Sequence, residues 1–327
     1  VPVFFLLSIG ISILYNMGTN VFLGEISYIT QALVAVLQLG VTMDYSIFLL
    51  SSYEENKERF PDDRERAMGH AIANTFKSIV GSSVTTIAGF AALCFMTFAL
   101  GRDLGIVSAK GVVIGVICCV TVLPAMILIF DKPIEKTKHK PLIKSMDRLS
   151  GFITKHYKIW LVIFLVLLAP AIYGNSNTKI YYNIAKSLPS TLESNVANEK
   201  LEEDFDMSVL HMVMMDKNMD AKDKRDMLNA IDEVDGVKWT ISLNSLVGAT
   251  IPDSMIPKDI KSMLQSDNWE LAFVCSKYQS ATEEVNSQIA QINDIVKGYD
   301  ENAMVIGEAP MMKDLEDVTN IDLQSVN

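Results

Sequence analysis

Five long stretches of this 327-residue chain contain almost no charged side chains. They are Val1–Gly24, Ile26–Tyr53, Ser78–Gly101, Gly111–Phe130 and Ile159–Thr178. A helix needs roughly 20 predominantly apolar residues to cross a bilayer, and the first four stretches are clearly long enough. The fifth is marginal in length but rich in Leu, Ile and Val. Since half of the chain is also hydrophobic, the sequence predicts a membrane protein with an α-helical bundle of five transmembrane spans.

The charge distribution predicts the side of the membrane on which each loop lies. Residues 1–175 carry a net charge of +3, whereas residues 176–327 carry −14. Lys and Arg are concentrated in two loops, Glu54–Lys77 and Asp131–Lys158, which the positive-inside rule assigns to the cytoplasm. We expect the chain to lie in the plasma membrane, with its five spans alternating in direction. This alternation places residues 176–327 outside the cytoplasm.

The second basic loop has a helical pattern of its own. Apolar side chains recur in it every three or four residues, at Leu142, Met146, Leu149, Ile153 and Tyr157. We interpret residues 131–158 as a cytoplasmic amphipathic linker at the membrane surface, which connects two halves of the protein.

The ends of the sequence suggest that more protein belongs to it. Val1 opens directly in an apolar stretch without a basic flank, and the chain stops at Asn327 in a polar helical pattern. We therefore expect a fragment of a longer protein, in which Val1–Gly24 is a span and not a signal peptide.

The acidic region after the fifth span alternates strand and helix patterns. The strand patterns are SVLHMVMMD, VKWTISLNSL, ELAFVCSKY and AMVIGE, and the helical patterns occupy residues 220–236 and 280–299. The first helix has an apolar face of Met227, Leu228 and Ile231, and Ser280 or Thr282 can cap the second. Two successive βαβ units predict a ferredoxin-like α+β domain over residues 179–310.

Asp44 is the only acidic or basic side chain between Ile26 and Tyr53. A charged carboxylate at that depth costs about 2.5–3.5 kcal/mol, and desolvation favours its neutral form. An aspartate that is protonated on one side and deprotonated on the other can carry protons and alter helix packing. We interpret Asp44 as such a carrier, the alternative being a permanently protonated side chain with a structural hydrogen bond.

Small and hydroxyl residues are spaced to surround Asp44. Gly40 lies one helical turn before it, on the same face. The next span carries a face of such residues at Ser78, Gly81, Ser82, Thr85, Thr86 and Gly89. Gly81, Thr85 and Gly89 follow the small-xxx-small pattern of closely packed membrane helices. We predict that this face packs near Asp44 and offers hydroxyl groups to its carboxyl group or to a water beside it.

Other motifs carry less weight. Gly111 and Gly115 favour close helix packing, within the chain more than between copies, and Lys110 is expected to extend to the membrane interface. The four cysteines and four histidines show no disulfide or metal-ligand spacing. Nucleotide-binding loops and hydrolase motifs are absent from the sequence, so we expect no enzyme, cofactor or metal.

The segments ISYITQALVAVLQLGVTMDYSIFLLSSYEE and SSVTTIAGFAAL resemble the MMPL family of the resistance–nodulation–division superfamily. The most specific motif is G-x-x-x-D-Y, Gly40 to Tyr45, and the final segment VIGEAPMMKDLEDVTNIDLQSVN is similar to bacterial members. The resemblance implies twelve spans in two repeats. Residues 1–130 would hold spans three to six, residues 159–178 the seventh, and residues 311–327 the start of the helix leading into the eighth.

The resemblance also implies a function, the proton-driven export of lipids or other hydrophobic molecules. Asp44 and Tyr45 match the Asp-Tyr pair that the family uses as a proton relay, and residues 179–327 would guide substrate. The implied partners are protons, membrane lipids, a lipidic substrate and the remaining half of the same transporter, and a homo-oligomer stays open. The acidic outer region disfavours nucleic acid. The alternative is a sterol-sensing-like receptor or a membrane assembly factor that uses the fold without pumping.

Overall fold

The computed structural model describes residues 2–136, 147–177, 188–243, 245 and 258–326. The chain divides into two compact units. The first consists of Val1–Tyr173 and Thr319–Asn327, and the second of Gly174–Val318.

Long helices make up most of the first unit. They are α1 Pro2–Gly18, which continues as a 3-10 helix Thr19–Leu23, then α2 Tyr28–Arg59, α3 Arg64–Leu93, α4 Ala99–Lys136, α5 Asp147–Lys155 and α6 Tyr157–Ser176. All of them except α5 are long and apolar enough to cross a membrane, with α1 counted together with its 3-10 extension. The five predicted spans are therefore confirmed as helices of suitable length and composition.

Several helices extend beyond the charge-free stretches. Most of the loop predicted over Glu54–Lys77 is helical, because α3 begins at Arg64, where the Asp63 side chain caps it by accepting a hydrogen bond from the Arg66 backbone N–H at 2.9 Å. The segment LGRDLGI, residues 100–106, overlaps the end of the third charge-free stretch and has the composition of an outer turn, but it lies inside α4. Charged residues beyond the apolar core can stay helical while their side chains reach water, so charge alone misplaces helix ends.

Glycines allow α4 to approach its neighbours closely. A Cβ atom added to Gly105 would lie 2.7 Å from the carbonyl oxygen of Phe90, in α3. Cβ atoms added to Gly111 and Gly115 would lie 2.5 Å from Asn16 Nδ2 and 2.7 Å from Thr42 Oγ1. The prediction that Gly111 and Gly115 serve packing within the chain is confirmed.

A Gly105→Ala variant tests this packing. We expect it to lower the stability of the full-length protein by about 1–3 kcal/mol, because the added methyl group meets backbone atoms that cannot move aside alone. Gly69→Ala in α3 is the matched control, since Gly69 is exposed and nothing lies within 4 Å of its added Cβ, and a helical alanine is intrinsically preferred by about 1 kcal/mol. Thermal unfolding in detergent compares the two, and equal midpoints would contradict the close α3–α4 contact.

The amphipathic linker is described in part. Helix α5 occupies residues 147–155 of it, and its side chains Leu149, Phe152 and Ile153 are exposed, as expected of an apolar side that rests on a membrane surface. Leu142 and Met146 lie outside the described residues.

The second unit is an α+β domain. Its described elements are α7 Glu193–Phe205, β1 Val209–Asp216, α8 Ala221–Asp232, β2 Val237–Ile241, α9 Lys258–Leu264, β3 Trp269–Ser276, α10 Glu283–Tyr299 and β4 Met304–Gly307. The four strands form one sheet in the order β2-β3-β1-β4, and every neighbouring pair is antiparallel. The predicted strands and the two helices between them are confirmed. The Pro-rich residues 250–257 lie outside the described part of the chain.

Helices α8 and α10 bury their apolar sides in the core of this domain. Met227, Leu228 and Ile231 of α8 are buried as predicted, together with sheet residues such as Val213 and Val274. Of the two candidate caps, Thr282 is the one that accepts a hydrogen bond, from the Val285 backbone N–H at 3.2 Å. The last helix, α11 Glu308–Val326, begins three residues before the predicted start at 311.

Candidate functional site

Asp44 and Tyr45 are neighbours with different environments. Asp44 is exposed near the middle of α2, whereas Tyr45 is only 7% exposed and belongs to an apolar cluster with Leu49 and Ile79. The difference follows from helix geometry, because successive residues point about 100° apart. The predicted proton carrier thus lies on the surface of the described helices, beside a buried phenol.

The glycines predicted to lie near Asp44 border open space. Gly40 is exposed, and so are Gly81 and Gly89 of α3. No atom lies within 4 Å of a Cβ added to any of the three. These glycines therefore leave space beside α2 and α3 that no other described residue fills.

Two of the predicted hydroxyl groups are hydrogen-bonded inside α3. Ser82 and Thr85 are exposed and Thr86 is half-buried. Thr85 Oγ1 and Thr86 Oγ1 both donate to the Ser82 carbonyl oxygen, at 2.7 and 3.0 Å. No hydrogen bond among the described residues joins these groups to Asp44.

Sequence analysis missed a row of buried polar side chains between α1, α2 and α4. We call it the polar spine, and it consists of Ser12, Asn16, Gln38, Thr42, Ser46 and Ser108, each at most 3% exposed. These side chains carry no charge, so those that lie in the charge-free stretches do not interrupt them. The available signal is the four-residue spacing of polar residues, from Ser12 to Asn16 and from Gln38 through Thr42 to Ser46, which places them on one helix face.

Amide groups link α1 to its two neighbours. Asn16 Nδ2 donates to Gln38 Oε1 at 2.9 Å and to the Val107 carbonyl oxygen at 3.2 Å. Gln38 Nε2 donates to Ser12 Oγ at 2.7 Å. Uncharged polar side chains of this kind hold membrane helices together because hydrocarbon offers them no other partner.

Lys110 lies next to the polar spine. Its ammonium group donates to the Asn16 carbonyl oxygen at 2.9 Å, to Thr19 Oγ1 at 2.9 Å and to Asn20 Oδ1 at 2.6 Å. Lys110 therefore binds the carboxyl end of α1 and its 3-10 extension, at the end predicted to lie outside the cytoplasm. The carboxyl end of α1 attracts it, because unpaired carbonyl groups and the helix dipole make that end a favourable place for a cation.

An ion cluster joins α2, α3 and α4 at the end predicted to be cytoplasmic. Asp131 is 2% exposed. Its carboxylate lies 3.0 Å from Lys57 Nζ and 2.9 Å from Arg64 Nη1, and it accepts a hydrogen bond from the Tyr53 hydroxyl at 3.3 Å. The arrangement compensates the burial of Asp131 and fixes the three helices relative to one another.

A family model for the MMPL family matches residues 1–153. We call residues 1–153, which are similar to this family and make up just under half of the chain, the MMPL region. This MMPL region contains α1 to α4, and therefore Asp44, the small face of α3 and the polar spine.

Curated relatives extend the similarity into the second unit. The siderophore exporter MmpL5 of Mycobacterium tuberculosis is 24% identical over 93% of this chain and 33% of its own length. The probable transport protein MmpL2 of the same organism is 21% identical over 88% of the chain and 30% of its own length. Putative membrane protein ActII-3 of Streptomyces coelicolor is 32% identical over 37% of the chain and 17% of its own length.

The chain thus spans about a third or less of the length of these relatives. Their names and the five candidate spans identify a multi-pass membrane protein related to MMPL transporters. Two of the three are named for transport or export.

Proposed function

We propose that this MMPL chain is part of a proton-driven exporter of lipidic or other hydrophobic molecules across the plasma membrane. Asp44 is the proton carrier and Tyr45 its hydrogen-bonding partner. The observation that carries the proposal is an exposed carboxyl group at mid-length of an apolar helix. Because facing lipid would cost that group about 2.5–3.5 kcal/mol, we infer that another part of the transporter covers it.

The open helix surfaces support such a partner. Space beside Gly40, Gly81 and Gly89 allows further helices to approach α2 and α3 closely. We propose that helices of the remaining half of the transporter pack there. They enclose Asp44 together with Ser82 and Thr85 in a site where protonation changes the helix contacts. The greater length of the relatives supports the existence of such helices.

The second unit is proposed to be the substrate-guiding part. We infer a ferredoxin-like porter domain over residues 179–310, outside the cytoplasm. The strand order β2-β3-β1-β4, with α8 between β1 and β2 and α10 between β3 and β4, supports that fold. The basic loops at the opposite ends of the spans support the outer location.

Reconstituted full-length protein tests the proposal. In liposomes with an imposed pH gradient, proton flux is followed with an enclosed pH indicator and export with a fluorescent lipid. Asp44→Asn is expected to abolish both, because an amide cannot release a proton. Glu25→Gln is the matched control, since Glu25 is exposed in a loop before α2, and it should retain both activities.

Three results would contradict the proposal. Retained proton flux and retained export in Asp44→Asn would exclude Asp44 as the carrier. Lost export with unchanged proton flux in Asp44→Asn would exclude Asp44 as the group that couples proton flux to export. A wild-type protein that moves neither protons nor lipid would favour a receptor or assembly role.

A further inference from the structure

The polar spine and its neighbour Tyr45 contain more hydrogen-bonding atoms than the protein satisfies. Asn16 Oδ1, Thr42 Oγ1, Ser108 Oγ and Tyr45 OH are buried and have no hydrogen-bond partner among the described residues. Leaving a buried polar atom unpaired costs about 1–3 kcal/mol, and a membrane interior offers no solvent to relieve it. Four such atoms at one helix interface therefore indicate that something else binds there.

Two of the unpaired atoms, in Thr42 and Tyr45, belong to α2, and the other two belong to Asn16 of α1 and Ser108 of α4. Asn16 is hydrogen-bonded to Gln38, and Thr42 lies one helical turn further along. Tyr45 follows Thr42 by three residues, about 4.5 Å along the helix axis. Its hydroxyl is the last unpaired atom of the series and belongs to the residue next to Asp44.

Helix α4 adds polar groups to the same interface. Cys118 and Cys119 of α4 are buried, and Cys119 belongs to the same cluster as Tyr45. Small, uncharged donors and acceptors thus border the spine on the α4 side as well. Such groups bind water readily, because hydroxyls and amide oxygens can each make hydrogen bonds in several directions.

We propose that the polar spine binds a chain of water molecules that carries protons between Asn16 and Tyr45. Each water bridges unpaired oxygen atoms of the spine, since a buried water typically makes two to four hydrogen bonds. A water that receives a proton on one side passes another on, so that one proton enters and one leaves at every step. The inference rests on the proposed function in one respect, that the protons are those carried by Asp44.

A dry interface is the competing arrangement, in which the amides and hydroxyls only hold the helices together. The two differ at Thr42. In a dry spine, Thr42→Val removes an unpaired hydroxyl and leaves stability equal or higher. In a hydrated spine, the same change removes a water-binding group and interrupts the chain.

Hydration is measured directly by radiolytic hydroxyl-radical labelling of the full-length protein in membranes, read out by mass spectrometry. We expect oxidation of Tyr45 and none of Met68, which is 2% exposed in an apolar cluster. Thr42→Val should lower the oxidation of Tyr45. An unoxidised Tyr45, or one oxidised equally in wild type and Thr42→Val, overturns the proposal.

Proton flux in the liposomes gives the functional readout. Thr42→Val and Gln38→Leu are expected to reduce it by about tenfold, the factor expected when one hydrogen bond is lost from the path. The matched controls are Thr121→Val and Gln31→Leu, which make the same changes at exposed positions of α4 and α2 and should leave flux unchanged. Thermal unfolding verifies that all four variants fold.

The outcomes separate this inference from the proposed function. If Asp44→Asn stops proton flux while Thr42→Val and Gln38→Leu retain it, the water chain is overturned and the proposed function stands. If Asp44→Asn leaves flux unchanged, the proposed function fails, and the labelling of Tyr45 decides whether the spine holds water.

Discussion

Replacing Lys224 with methionine is expected to destabilise the α+β domain by about 3–5 kcal/mol, because it leaves a buried charge without its partner. Lys224 Nζ lies 2.8 Å from Glu270 Oε2, and the two side chains are 8% and 4% exposed. The ammonium group also donates to the Lys217 carbonyl oxygen at 2.7 Å. Once it is removed, the described contacts leave the Glu270 carboxylate with a hydrogen bond from Gln265 Nε2 at 3.2 Å.

Amide hydrogen exchange of strand β3 in the full-length protein measures this loss. A destabilisation of that size accelerates exchange through domain opening by at least about a hundredfold. Lys222→Met is the matched control, because Lys222 is exposed on the same helix, and it should change stability by less than about 0.5 kcal/mol. The double variant Lys224→Met/Glu270→Leu should recover most of the loss, since an apolar pair carries no desolvation cost. A double variant no more stable than Lys224→Met would contradict the coupling.

The sequence was most informative where local pattern and tertiary structure agree. In the α+β domain, Met227, Leu228 and Ile231 both define an apolar helix face and fill the core, so the strands and helices were predictable. The ends of the helices in the first unit were less predictable. LGRDLGI contains two glycines and two charges, which favour a turn locally, yet Gly105 is buried against α3 because close packing there requires a residue without a side chain.

The charged residue of the candidate site, Asp44, was easier to predict than the uncharged polar residues near it. Asp44 stands out because a carboxyl group inside an apolar stretch is costly, whereas Gln38 and Thr42 are common enough in membrane helices to pass unnoticed. Asp131 directly follows a charge-free stretch, so the sequence pattern predicts that it lies in a loop. Its burial follows from contacts with Lys57 and Arg64, which lie more than 60 residues away on two other helices. Contacts between distant residues are what a single sequence does not display.

The α+β domain is also expected to lose stability as the pH falls below about 6.5, because of His211. This side chain is fully buried in β1, and its Nε2 lies 3.4 Å from Gln288 Oε1. Burial lowers the pKa of His211 from its ordinary 6.5, although the hydrogen bond with Gln288 acts in the opposite direction. On acidification the unfolded chain therefore binds a proton before the folded domain does. Stability present above pH 6.5 is lost below it by up to about 1.4 kcal/mol per pH unit, until folded His211 is itself protonated.

Hydrogen exchange of β1 amides at pH 7.5, 6.5 and 5.5, corrected for intrinsic exchange rates, measures the slope. His211→Gln keeps a polar side chain next to Gln288 but does not titrate, so its stability should vary less over this range. His156→Gln, in the first unit, should behave like wild type. If wild type and His211→Gln lose stability equally, a neutral buried histidine is not the cause. Under the proposed function a positive result bears on transport, because an exporter driven by protons entering from outside would expose its outer domain to the more acidic side.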